Sequence, residues 1–168
     1  MPYMLVVLIV LASVSAWCPA DAAEARRYEG DAVVQWKSIP GDVTFEVRLD
    51  LTRLAPDITK VMVTCSITSD AFPTRSDGRP GGVGAQLELP VSAGQLVTTA
   101  RVVVPITVDK FKMDPVTKRK QDPTGTSAEY QCDLMGFIGG VLQVPNEKSP
   151  NPLRLSSAPA PITGKFVW

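Results

Sequence analysis

The densest chemical functionality in this 168-residue chain is Lys110-Phe111-Lys112-Met113-Asp114-Pro115-Val116-Thr117-Lys118-Arg119-Lys120. Five cations in eleven residues can meet phosphate, an anionic polysaccharide or an acidic surface. Phe111 alone is too small a platform for stacking bases, so the stretch carries no specific nucleic-acid signal. Upstream, segment 70–84 sets Arg75, Asp77 and Arg79 among Ser, Gly and Pro, and connecting loops carry recognition more often than strands do. Asp70 and Asp77 do not have the spacing of a twelve-residue calcium loop, and the glycines lack the Lys-Ser/Thr of a phosphate loop. Arg75, Asp77, Arg79, Lys118, Arg119 and Lys120 are therefore the candidate binding residues.

Catalytic chemistry has less to work with. The chain has no histidine, which excludes Ser-His-Asp and Cys-His machinery, imidazole metal sites and a histidine pH switch. Two carboxylates can hydrolyse a glycoside without histidine. Here Glu46, Asp50, Glu88, Asp109, Glu129 and Asp133 are scattered among apolar residues and should point outward, and no spacing selects a pair. The reading is a protein that is not an enzyme, with no catalytic residues, no metal and no cofactor. A histidine-free hydrolase is the remoter alternative. Seventeen Lys+Arg balance seventeen Asp+Glu, so no global field advertises a polyanionic partner.

Residues 4–16, MLVVLIVLASVSA, form an apolar run too short to span a bilayer, which takes about 20 residues. The run matches the hydrophobic region of a secretory leader, with small residues for cleavage after Ala16 or Ala22. Cutting after Ala22 removes Cys18 and leaves Cys65 and Cys132, an even pair suited to an oxidising compartment. The expectation is a signal peptide over 1–22 and one domain over 23–168. That domain is exported to the periplasm, cell surface or medium, with no transmembrane helix once the leader is gone.

The elements that must position the candidate residues are strands. Val43, Phe45, Val47, Leu49 and Leu51 alternate with polar residues, as do Val61, Val63, Cys65 and Ile67, and Ala128, Tyr130, Cys132 and Leu134. This period of two is what a half-buried strand requires. The run from Leu96 to Val108 is rich in β-branched residues and contains Pro105, which cannot donate to a ladder and belongs on an edge or at a bend. Shorter strands are expected at 32–36, 83–89, 141–144 and 162–168. The breakers Ile39-Pro40-Gly41, Ala55-Pro56-Asp57, Ser76-Asp77-Gly78 and Asp122-Pro123-Thr124-Gly125 separate them.

Two segments resemble the cysteine strands of the immunoglobulin fold. Residues 60–68, KVMVTCSIT, are similar to the first, and residues 127–132, SAEYQC, with a tyrosine two places before the cysteine, to the second. The resemblance covers 60–134. It implies an all-β, antiparallel immunoglobulin-like sandwich in which Cys65 and Cys132 form one inter-sheet disulfide and the Tyr130 hydroxyl bonds upstream backbone. The tryptophan that the family carries after the first cysteine strand is missing, since residues 75–82 read RSDGRPGG. Cysteine strands in facing sheets run the same way, so an odd number of strands must separate them. Splitting 70–89 at the Asp77 turn supplies that number and sets the Asp77 turn and the 111–126 loop at one end. The functional expectation is an exported, non-catalytic binding or structural module whose partner is a protein or an anionic polymer. The alternating Phe166 and Trp168 also resemble, weakly, the closing strand of an outer-membrane barrel, which keeps a small surface-associated barrel as an alternative.

Overall fold

In the computed structural model, which describes residues 32–36, 38–52, 54–143, 153 and 160–168, the alternation becomes two faces. The expected leader and Val144 lie outside the described residues. Strand β2 (Gly41–Leu51) turns Val43, Phe45, Val47, Leu49 and Leu51 inward, all nearly inaccessible, while Asp42, Arg48 and Asp50 face out. Burying each such side chain contributes roughly 1.5–3 kcal/mol, and a one-residue slip would expose all five, so the register is strongly held. The same pattern recurs in β3 (Ile58–Ser69), β5 (Leu96–Ile106) and β6 (Ser127–Ile138).

These strands build two antiparallel sheets packed over one core. The smaller has the order β1-β2-β5, with β1 at Ala32–Trp36. The larger runs β4-β3-β6, with β4 at Gly82–Pro90, and β6 continues to β7 (Val141–Gln143) and β8 (Ile162–Val167). Strand β7 pairs with the C-terminal part of β6 and β8 with its N-terminal part. Pro105 lies on β5, an edge of the smaller sheet, as its missing donor requires. The inward faces are apolar and the outward ones mainly polar, the reverse of a lipid-facing barrel, and the strands stay in two separate sheets.

The immunoglobulin constant-type arrangement sets strands A, B, E and D against C, F and G. Matching β1, β2 and β5 to A, B and E, and β3, β6 and β8 to C, F and G, reproduces both layers. Strand β4 adds to the β3 edge instead of joining the smaller sheet.

Cys65 and Cys132 are bridged, which bears out the pairing, and the bridge is not where the resemblance set it. The two residues face each other on neighbouring strands β3 and β6 of one sheet, with Cα atoms 4.1 Å apart. Close approach of this kind marks a non-hydrogen-bonded antiparallel pair. The strand count explains the correction. Residues 70–81 form a loop and only 82–90 a strand, so two strands, β4 and β5, separate the cysteines, and β3 and β6 run antiparallel. Pro73 and Pro80 lack donors, and the stretch folds back on itself through the Arg75 amide on the Arg79 carbonyl and the Gly78 amide on the Arg75 carbonyl, so it forms a loop and not a further strand. The first cysteine thus occupies the C-type strand, where the family's tryptophan would stand, and Phe45 of β2 fills the core opposite Tyr130 at 5.4 Å. The Tyr130 ring also lies over Gly164, and its hydroxyl has no backbone acceptor among the described residues, contrary to the resemblance.

Candidate functional site

Antiparallel registers decide which loops meet. Gly41 pairs with Ile106, Thr68 with Gly82 and Ser69 with Ala128. The turn before β2, the 70–81 loop and the 107–126 loop therefore share one end, with the C-terminal Trp168 beside them. The sequence reading of the ends survives, although its strand count does not. Residues 91–95 and the Gly139-Gly140 turn occupy the opposite end.

An aromatic stack joins the two long loops. Phe72 and Phe111, almost fully buried, stack at 5.5 Å with planes 9° apart, and Trp168 meets Phe72 edge-on at 6.2 Å. The Lys112 amide donates to the Ala71 carbonyl at 2.8 Å, tying the loops through their backbones. Trp168 is held by its own amide on the Thr126 carbonyl and by its indole N–H on the Ser69 hydroxyl. Phe166 and Trp168 thus pack against the sandwich core and do not close a barrel.

Each candidate residue has a defined place. Residues 113–120 form a small hairpin, bridged between Met113 and Lys120. Asp114 braces its tip by accepting from the Val116 and Thr117 amides at 2.8 and 2.7 Å, and those bonds, Thr117 foremost, hold its carboxyl below the usual range. Lys118 and Arg119 stand exposed at that tip, Lys118 with φ of 56°. Lys120 folds back, its ammonium donating to the Asp109 and Phe111 carbonyls at 2.8 and 2.9 Å, so it clamps the loop base. In the other loop Asp77 accepts from the Arg79 amide at 3.1 Å and lies 3.8 Å from the Arg75 guanidinium. Asp77 is thus a turn brace, while Arg79 is exposed.

Between the loops lies a groove of about 700 Å³ that runs onto the outer face of the larger sheet. Arg75, Pro80, Asp109 and Lys110 line its sides, and Ser66, Thr68, Gly82 and Gly84 also line it. Lys110 pairs with Asp109 at 3.6 Å. The Asp109 carboxyl is held below the usual range chiefly by the Thr107 hydroxyl; desolvation opposes this, and its own amide and Lys110 add smaller lowering effects. Sequence reasoning found Arg75 and the loop carrying Lys110, and it missed the hydroxyl and glycine residues. Their signal was the alternation of Ser66 with Thr68 and of Gly82 with Gly84, visible only once β3 and β4 are known to pair.

Two further cavities open on the sheet faces, about 500 Å³ beside Asp42 and about 370 Å³ beside Glu129. Each of the three is lined by a single carboxylate. No cluster of three or more metal-ligating acids or cysteines occurs among the described residues.

No protein-family model matches the chain, and no curated protein does. Among solved structures, it is similar to the crystal structure of DesR, a beta-glucosidase from Streptomyces venezuelae in complex with D-glucose. That likeness has a TM-score of 0.40 and 18% sequence identity, over 82% of this chain. The chain spans 14% of the length of that protein.

Proposed function

We propose that this chain is an exported, non-catalytic binding module that engages an anionic polymer through its loop end. The observation that carries the reading is the groove between the 70–81 and 107–126 loops, with Arg75 and Lys110 at its sides. Arg79, Lys118 and Arg119 extend the cationic surface beyond it. The two loops together hold seven Lys and Arg against five Asp. Asp77 and Asp114 are turned onto backbone amides, as is Asp122, which accepts from the Thr124 amide at 2.9 Å. Arg79, Lys118 and Arg119 therefore face outward, while Arg75 pairs with Asp77, Lys110 with Asp109 and Lys120 with backbone carbonyls. An oxidised Cys65–Cys132 pair and the apolar leader sequence support export.

Retention on immobilised heparin, a generic anionic polymer, tests this. The wild-type protein should elute only at raised salt, because exposed charge pairs are screened within about 8–10 Å at physiological ionic strength. A variant combining Arg75→Ala, Lys118→Ala and Arg119→Ala should elute much earlier. Lys120→Ala is the wrong probe, since it would also loosen the loop. Equal elution of wild type and the triple variant would remove the loop end as the binding surface.

A further inference from the structure

The tip of the 113–120 hairpin is apolar as well as cationic. Met113 is 57% exposed and Val116 85%, and Pro115 stands exposed between them. A lone exposed valine is ordinary on a protein surface. Here the apolar residues fall within four consecutive positions of one turn. Lys112 precedes them, and Lys118 and Arg119 follow. Residues 112–120 hold four cations and one acid. An anionic polymer would engage the charges and leave Met113 and Val116 in water.

The backbone of this turn already has its hydrogen bonds. The Asp114 amide donates to the Arg119 carbonyl at 2.8 Å, and the Lys118 amide to the Asp114 carbonyl at 3.0 Å. The Val116 and Thr117 amides donate to the Asp114 carboxylate at 2.8 and 2.7 Å. Pro115 has no N–H. Every amide from 114 to 118 is thus paired within the turn or absent. Unpaired amides are what ordinarily keep irregular backbone out of lipid. The same bonds hold the hairpin's one acid half-buried against its own backbone.

Exposed apolar side chains, a paired backbone and flanking cations together match the boundary of an anionic bilayer. Acyl chains there take apolar groups, and headgroup phosphates take ammonium and guanidinium. A free polyanion satisfies only the cations, and an uncharged apolar partner would strip water from Lys118 and Arg119 without pairing them. We propose that the hairpin is a peripheral membrane anchor. Met113, Pro115 and Val116 enter the outermost acyl region of an anionic lipid surface, while Lys112, Lys118 and Arg119 meet its headgroups. No helix among the described residues is long and apolar enough to cross a membrane, and shallow insertion needs none. The anchor stands apart from the polymer reading, which uses Lys118 and Arg119 and gives the apolar tip no role.

Co-sedimentation of the exported, leader-free protein with lipid vesicles tests the anchor. Phosphatidylcholine vesicles containing about 30% phosphatidylglycerol should carry the protein down, and pure phosphatidylcholine much less, because cations gain only at an anionic surface. Lys118→Ala with Arg119→Ala should weaken partitioning about 25-fold, at about fivefold per cation. Met113→Ser with Val116→Ser should weaken it at least about tenfold. Heparin retention and melting temperature should not change in that pair, since both side chains lie largely in water. Asp114→Asn keeps an acceptor for the turn and should bind vesicles no worse than wild type. Asp114→Ala frees two amides and should bind less, although both changes remove a negative charge. Heparin retention without vesicle association would overturn the anchor and leave the polymer reading standing. Vesicle association without heparin retention would do the reverse. Vesicle binding that survives Met113→Ser with Val116→Ser would also overturn the anchor, because charge alone would then account for it.

Discussion

Removing the Cys65–Cys132 bridge isolates what a cross-link within one sheet contributes. The cysteines are 67 residues apart, and the bridge closes a loop containing β4, β5 and both long loops. In the chain-entropy treatment such a loop restricts the unfolded chain by about 15 cal/mol/K, or about 4 kcal/mol at 25 °C. Both side chains are buried in the core, so a double Cys→Ala variant also loses packing, about 1 kcal/mol per site. The cleaner comparison is wild-type protein unfolded, reduced and refolded in reductant, which keeps both sulfurs in place. For a domain of this size each kcal/mol moves the melting temperature by about 3–5 °C, so reduction should lower it by about 12–20 °C. Location adds a second expectation. Strands β3 and β6 are paired in register from Lys60 to Ser69 and from Phe137 to Ala128, and the sheets are held by apolar burial. The reduced protein should therefore still fold, with the aromatic near-ultraviolet signal of the Trp36–Phe166 and Phe45–Tyr130 contacts intact. Thermal melts of both forms, with near-ultraviolet circular dichroism below the transition, decide the matter. Melting within about 3 °C of each other would refute the entropic argument, and loss of the aromatic signal on reduction would refute the claim that packing alone joins the sheets.

Three other outcomes follow from the packing and the turns. Gly164→Ala should cost about 1–3 kcal/mol in thermal or denaturant unfolding, because its Cβ would lie 2.6 Å from atoms of the Tyr130 ring. An unchanged melt would mean that the ring moves aside freely. Phe72→Ala should cost about 3–5 kcal/mol, since the side chain is 1% exposed and holds Phe111 and Trp168, and heparin retention should weaken with it. The carboxyls of Asp114 and Asp122 are depressed by hydrogen bonds from the Thr117 and Val116 amides and from Thr124, respectively. Their contribution is complete above the ordinary carboxylate range and lost as pH falls through the lower folded values, so the loop end should loosen below about pH 4. Carboxyl-carbon NMR titrations reading either residue at or above an ordinary aspartate would contradict these turns.

The candidate site was half legible in the chain. Charge density around 110–120 and the Gly/Pro-rich loop containing Arg75 mark the end where the two long loops meet, because loops advertise themselves by composition. Composition does not say which cation is committed to the fold. Lys120 looks equivalent to Lys118 and Arg119 in sequence, yet it alone caps the Asp109 and Phe111 carbonyls. Asp77 likewise reads as a site residue and serves a turn.

What the amino-acid order determined by itself is the part governed by neighbours along the chain. Period-two alternation specified β2, β3, β5 and β6 and the faces they bury, and Pro105 assigned its strand to an edge. Strand partnership was decided only in three dimensions. The same alternating cysteine strand can stand opposite its mate in a facing sheet or beside it in one sheet. Its own residues cannot distinguish the two, because both arrangements bury the same face. The choice rested on residues 70–81, where Pro73 and Pro80 lack donors and the Arg75–Arg79 turn closes the backbone on itself, so no strand forms there. That makes the intervening strand count even, turns β3 and β6 antiparallel, and sets Cys65 beside Cys132.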